Sequence, residues 1–350
     1  MKKRLSELTA ATALVAAVLL LGHHYCWRER QAKAVRNDAA SAAASQTDTA
    51  ASSSPGAGDQ LLVQARLQLE RRVSVTARLR YQALLKGRSL AGFGGYWQQG
   101  RGEDMRVRFE LRVNHENTTL LQVSDGRFMW TDQQVPAGRS ITRLDLRRVR
   151  SEMNQPADEM GDLVSSSIRP TPPPAELSLR TGGLPTLLKV LADCFAFVPP
   201  QSMRWTPPQP LEGLPESLPV FAVVGHWKPE ILAMFVPEGK DAQALPERLP
   251  QEVLLLFGQS DLFPYRIEFR HLTARRDAGT TSPQAAFTLS SDPLMLLELS
   301  AVSFDSQVPA GQFDYSAGNA NWIDQTSEYI EVLKRQREER TAIQNRTLQR

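Results

Sequence analysis

A chain of 350 residues with 41% hydrophobic and 23% charged side chains has the balance of a folded protein and can bury an adequate core, which argues against wholesale disorder. Its formal net charge is only +3 and its arginines are interleaved with Glu and Asp, so no nucleic-acid surface is expected. Two cysteines, Cys26 and Cys194, are too few for a disulfide framework, and packing must hold the core.

At the N-terminus, Lys2, Lys3 and Arg4 precede LTAATALVAAVLLLG, the charged and apolar regions of an export signal. The run is shorter than the roughly 20 residues of a membrane span. His23, His24, Tyr25 and Trp27 would extend it at the interface. Ala32-Lys33-Ala34 has the small-x-small form of a cleavage site, but charged residues crowd it, and both outcomes stay open. Residues 1–34 read as an uncleaved anchor, tethering the chain on the periplasmic side of the inner membrane, or as a signal peptide whose loss leaves it soluble in the periplasm. Residues 35–58 are rich in Ala, Ser and Thr and read as a flexible linker.

The folded part is expected over 59–333. DQLLVQARLQLERR spaces Leu61, Leu62, Ala65, Leu67 and Leu69 as a helix, with Asp59 as a candidate N-cap. VSVTARLRY then alternates with a period of two, the mark of a strand with one buried face. The pattern recurs in GFGGYWQQG and MRVRFELRVN, and in TLLQVSDGRFMW, where Asp125-Gly126 suits a type I′ hairpin turn. SITRLDLRRV, VFAVVGHW, PYRIEFRHL, LLELSAVSF and GQFDY are further strand candidates. Residues 151–174, with a PTPPP run, read as a surface excursion, and GGLPTLLKVLADCFAF as a very apolar helix that must be covered. DQTSEYIEVLKRQREERTAIQNR closes the chain as a helix whose apolar content ends at Leu333, leaving 334–350 as a charged helical tail. The fold class is therefore mainly β with added helices: a curved antiparallel sheet of roughly ten strands.

Chemistry is sparse. No HExxH, GxSxG, CxxC pair, P-loop or GxGxxG occurs, and the five histidines do not cluster in sequence. A non-enzymatic protein without metal or cofactor is expected.

The order of helix, VSVTARLRY, GFGGYWQQ, RVRFELRV, LLQVSDGRFMWTD and RLDLRRV, with VLLLFGQSDLFPYRIEFRH and FDYSAGNANWIDQTSEYI later, resembles the LolA/LolB-like lipoprotein-carrier fold, and is most similar to large planctomycete relatives of it. The resemblance implies an incomplete β-barrel with helices over its concave face, where acyl chains can be sequestered. The expected partner is a lipid or lipoprotein acyl chain, or else an envelope protein bound by the same fold acting as a periplasmic scaffold; the N-terminal segment would meet the inner membrane. The apolar alternation points to Val107, Phe109, Leu111 and Val113 as the lining, with Tyr96, Leu121, Phe128, Trp130, Ile267 and Phe269 from neighbouring strands and Phe195 and Phe197 in a helical plug.

Overall fold

A computed structural model describes residues 56–85, 88–114, 118–154, 183–207, 211–232, 250–270 and 293–335. Residues 1–34, read as an export segment, almost all of the linker and residues 155–174 of the expected excursion lie outside these residues, as does the chain beyond 335; residues 151–154, expected in that excursion, belong instead to the helix Leu146–Asn154. Among the described residues no helix is long and apolar enough to cross a membrane.

The first helix, α1 (Ala57–Arg71), buries Leu61, Leu62, Ala65 and Leu69 at helical spacing, whereas Leu67 is exposed on its outer side. Its N-cap is Gly56, without a side-chain cap; Asp59 lies in the first turn and instead accepts a hydrogen bond from the Phe197 backbone N–H at 3.1 Å. Six strands follow: β1 (Ser74–Leu85), β2 (Arg88–Gln99), β3 (Arg106–Val113), β4 (Thr118–Ser124), β5 (Phe128–Val135) and β6 (Gly138–Asp145). The turn between β4 and β5 differs from the expected type I′. Gly126 has a positive φ, whereas Asp125 does not, and the Asp125 carboxylate holds the turn by accepting from the backbone N–H groups of Arg127 and Phe128.

The expected strand SITRLDLRRV is cut in two at Asp145. Its carboxylate accepts from Arg148 N at 3.0 Å, capping helix α2 (Leu146–Asn154). The apolar helix α3 (Gly183–Cys194) stops sooner than expected, so Phe195 and Phe197 belong to a short strand, β7 (Phe195–Phe197). Then come β8 (Gln201–Trp205), β9 (Leu218–Trp227), a single turn α4 (Pro229–Leu232), β10 (Glu252–Gly258), β11 (Pro264–Arg270) and β12 (Met295–Phe304). GQFDY is not a strand, because Ala310–Phe313 forms a 3-10 turn. A two-residue strand, β13 (Ile323–Asp324), and a helix α5 over 326–335 complete the described chain.

Among the described residues, all thirteen strands belong to one sheet, in the order β13-β6-β5-β4-β3-β2-β1-β12-β11-β10-β9, with β7 and β8 both on the free side of β9. Every pair is antiparallel except β13 with β6. The sheet is not closed into a barrel: β13 and β6 form one edge and β7 and β8 the other. The chain's two halves meet at the centre, where β1 pairs with both β2 and β12.

Side chains opposite one another across a ladder share a face. The inner face carries Val75, Ala77, Leu79 and Tyr81 of β1, and Tyr81 and Leu79 lie opposite Gly92 and Gly94 of β2. These glycines leave room for the large side chains beside them and allow close backbone approach: a β-carbon on Gly94 would strike the carbonyl oxygen of Glu110 in β3. Helices α1 and α3 cover this face, and Leu184, Leu187, Leu188 and Leu191 of α3 join one buried cluster with β1, β2, β3 and β9 to β12. A second cluster closes the β5 and β6 end, where Met129 and Leu144 pack with Leu146, Val149 and Met153 of α2 and Tyr329, Ile330 and Leu333 of α5.

The outer face is held differently on its two halves. Over β1 to β6 the segment 305–322 runs as a strap. Asp305 accepts from Val73 N at 2.7 Å, Gln312 O accepts from Arg108, and Tyr315 donates to Asp132 at 3.0 Å. Trp130 packs on both Tyr315 and Trp322. Over β1, β12, β11 and β10 lies a row of buried charges, in which Glu298 pairs with Arg80 and Arg266, Glu268 with Arg266 and Arg270, and Glu252 with Arg270.

Candidate functional site

The inner face is the one surface on which most of the residues expected to line a ligand site converge. Tyr96, Val107, Phe109, Leu111 and Val113 lie on it through the β2–β3 register, and Ile267 and Phe269 reach it from β11, opposite Leu297 and Met295 of β12. Leu111 and Tyr96 are each 2% exposed and Ile267 is fully buried, whereas Phe109 and Val113 are half-buried near the margin of the cluster.

Leu121, Phe128 and Trp130 do not belong to this lining. The pairing Phe109↔Gln122 and Glu110↔Leu121 puts Leu121 on the outer face, and Gln122↔Thr131 and Val123↔Trp130 put Trp130 there too, with Phe128 two residues away. The β4 run TLLQV has apolar residues on both faces, so composition does not say which face is inside, and a one-residue choice reverses the whole strand. One row of the inner face turns polar past β3. Beyond Phe109 the row continues through Gln122, Thr131 and Thr142, all half-buried and polar. The larger apolar cluster runs from Leu120 of β4 through β3 and β1 to β9, and Met129 and Leu144 carry the second cluster on the same face.

Phe195 and Phe197 are buried on this side as strand residues, with Phe195 stacked on Trp227 at 4.2 Å between ring centroids. They form a wall at the sheet edge instead of a helical plug. The plug is α3 itself together with α1.

A buried polar relay ties both helices to β2. The Tyr96 hydroxyl accepts from Leu184 N at the start of α3 (3.1 Å) and donates to Gln98 Oε1 (2.6 Å). Gln98 Nε2 in turn donates to Leu69 O in the last turn of α1 (3.2 Å). Burial pushes the Tyr96 hydroxyl well above the ordinary tyrosine range, the Leu184 N–H opposing only in part. It stays a neutral donor at any physiological pH. Gly183 begins α3 with φ +58° directly against this hydroxyl, where a β-carbon would collide with it. The sequence signal for the relay was Gln98, a polar side chain on the apolar face of its strand.

What this arrangement can do chemically is hold apolar matter. Among the described residues no group of three metal-ligating side chains occurs. His226 sits on β9, and His115 and His271 lie outside the described residues.

The open antiparallel sheet with helices laid on its apolar face agrees with the plan that the sequence resemblance implied. Solved structures to which the chain is similar include an uncharacterized conserved protein from Thermus thermophilus, 9% identical with a TM-score of 0.36, covering 76% of this chain and 98% of that one. Another is MucB in the Pseudomonas aeruginosa MucA/MucB complex, 10% identical with a TM-score of 0.33, covering 74% of this chain and 61% of that one. A third is a LolA superfamily protein from Nitrosomonas europaea, 12% identical with a TM-score of 0.23, covering 74% of this chain and 98% of that one. No family model matches the chain, and neither does any curated protein. At such identities and scores the likeness is one of general plan and carries no function. The narrower likeness to planctomycete relatives rests on the sequence phrases alone.

Proposed function

We propose that this chain is a non-catalytic cell-envelope protein that takes a lipid or lipoprotein acyl chain onto the apolar inner face of its sheet, in place of α3. One observation carries this reading: the cover over that face is held by interchangeable apolar contacts. α3 offers four leucines, Leu184, Leu187, Leu188 and Leu191, and its described hydrogen bonds to the sheet side lie at its two ends alone: Leu184 N to the Tyr96 hydroxyl, and Ala192 O and Cys194 O accepting from Lys228 just beyond β9. Burying four leucines is worth about 1.5–3 kcal/mol each, and an acyl chain of about fourteen methylenes about 0.8 kcal/mol per methylene, so the two occupants are of the same order. Exchange is then close to balanced, as a protein that must both load and release requires.

The test is uptake of a fluorescent fatty acid by the protein carrying Phe109→Ala together with Leu111→Ala. Uptake falls in a double variant that keeps its β circular-dichroism spectrum; unchanged uptake would remove the inner face as the site. The second reading, a periplasmic scaffold that binds a protein partner, is favoured by Trp322 and Ile323 at the strap's end, 40% and 62% exposed. Native mass spectrometry of the purified protein separates the two. Copurifying lipid supports the carrier, and a stable protein partner without lipid supports the scaffold.

A further inference from the structure

At the end of the sheet away from the β1–β2 turn, the chain forms a cavity of about 450 Å³ that the inner face does not use. Three pieces of backbone build its walls. The β2–β3 connection brings Glu103, Asp104 and Arg106, the β4–β5 turn brings Asp125, Gly126 and Arg127, and α2 brings Arg147, Arg150 and Ser151. The last three share one helix face through their spacing of three and four.

Seven charged side chains thus surround one hollow, and among the described residues none of them forms an ion pair with another. Asp125 is committed to its own turn, through the N–H groups of Arg127 and Phe128. Arg150 is anchored on the Gly126 carbonyl at 3.2 Å, and Arg127 lies over the Phe128 ring at 4.7 Å. That leaves Arg106 and Arg147 as guanidiniums without a carboxylate, and Glu103 and Asp104 as carboxylates without a cation, around a space of small-molecule size. Four guanidiniums suit a phosphate, which they meet with paired donors. The two remaining carboxylates suit an ammonium group, so a ligand carrying both charges satisfies the whole lining.

We propose that this cavity binds a zwitterionic phosphoester of the phosphoethanolamine class, its phosphate on Arg106, Arg127, Arg147 and Arg150 and its ammonium on Glu103 and Asp104. The same headgroup chemistry is offered by a membrane lipid and by a soluble phosphoester. The site stands on its own lining and does not need an acyl chain on the inner face.

Isothermal titration calorimetry on the full chain in nonionic detergent tests it with glycerophosphoethanolamine, a probe with no acyl chain. The zwitterion is expected to bind about tenfold or more tightly than glycerol 3-phosphate, which lacks the ammonium, or ethanolamine, which lacks the phosphate. Arg106→Ala with Arg147→Ala, both exposed positions, should abolish binding of either phosphoester. Glu103→Gln with Asp104→Asn should erase the preference for the zwitterion and keep glycerol 3-phosphate binding. Absence of zwitterion binding, equal binding of glycerol 3-phosphate by the unaltered protein, or unaltered binding by the arginine variant would each overturn the proposal. Dihexanoyl phosphatidylethanolamine distinguishes the sources: tighter binding than the headgroup alone identifies a lipid, equal binding a soluble phosphoester, and both support the site. Fatty-acid uptake, which involves no phosphate, fails or succeeds separately.

Discussion

The Tyr96 hydroxyl shows how much one polar atom can hold in an apolar face. Replacing Tyr96 by Phe leaves the Leu184 N–H and the Gln98 Oε1 without that partner inside the core. The expected loss is about 1–3 kcal/mol in urea unfolding, with the apolar packing nearly unchanged. A value near zero would mean that water reaches the relay. The buried charge row makes a harsher case. Glu298 has no exposed surface and meets both Arg80 and Arg266, so Glu298→Gln leaves two guanidiniums under-compensated, a loss of about 3–5 kcal/mol in the same measurement. On the outer face, the strap's carboxylates respond to acid. The Val73 N–H and then Arg72 hold the Asp305 carboxyl below the usual aspartate range, and Arg139, followed by Tyr315, does the same for Asp132. A depressed folded pKa gives stability that is present above the unfolded value, about 3.9 for Asp, and lost as pH falls through the folded one. Limited proteolysis within 305–322 should therefore begin below about pH 4 and be absent near neutrality. Asp305→Asn with Asp132→Asn should flatten that dependence.

Elements differ in how firmly they are held, and hydrogen exchange reads the difference. β10 is buried at all seven positions and paired on both sides, whereas α3 meets the sheet mainly through leucine side chains. Amides of α3 are expected to exchange much faster than those of β10, and faster again with a bound fatty acid if α3 is the element displaced. Equal protection in the two would deny α3 its part as a cover. The same contrast explains what could be read from the sequence. β1 and β3 were legible because their polar and apolar residues alternate, from Ser74 to Ala83 in β1 and throughout β3. The helical part of SITRLDLRRV was not, since Leu144, Leu146 and Val149 fit a strand and a helix about equally, and only the cap at Asp145 decides. In the site, β3 and β11 were placed on the correct face by their own pattern. Leu121, Phe128 and Trp130 were misplaced because their strands carry apolar residues outward as well, Trp130 there receiving the strap.

At the scale of the whole molecule, the central ladder joins residues far apart in sequence, Val75 to Phe304 and Ala83 to Met295. Six strands form a local meander, yet the strand that begins it has one side unpaired until the last long strand arrives. Such distant pairing slows folding, since the loop must close before its contacts contribute. If the chain is exported, as the envelope location proposed above requires, its N-terminal part folds first and this ordering has a consequence. β1 emerges early and waits, with an open backbone edge and a greasy side, until some two hundred and twenty residues have followed it. An exported chain truncated before Met295 should present that edge permanently and be recovered as aggregate or degraded, whereas one ending after α5 should accumulate as folded protein. The newly translocated polypeptide would then depend on holdase chaperones for most of its passage, although its finished form has that edge fully paired.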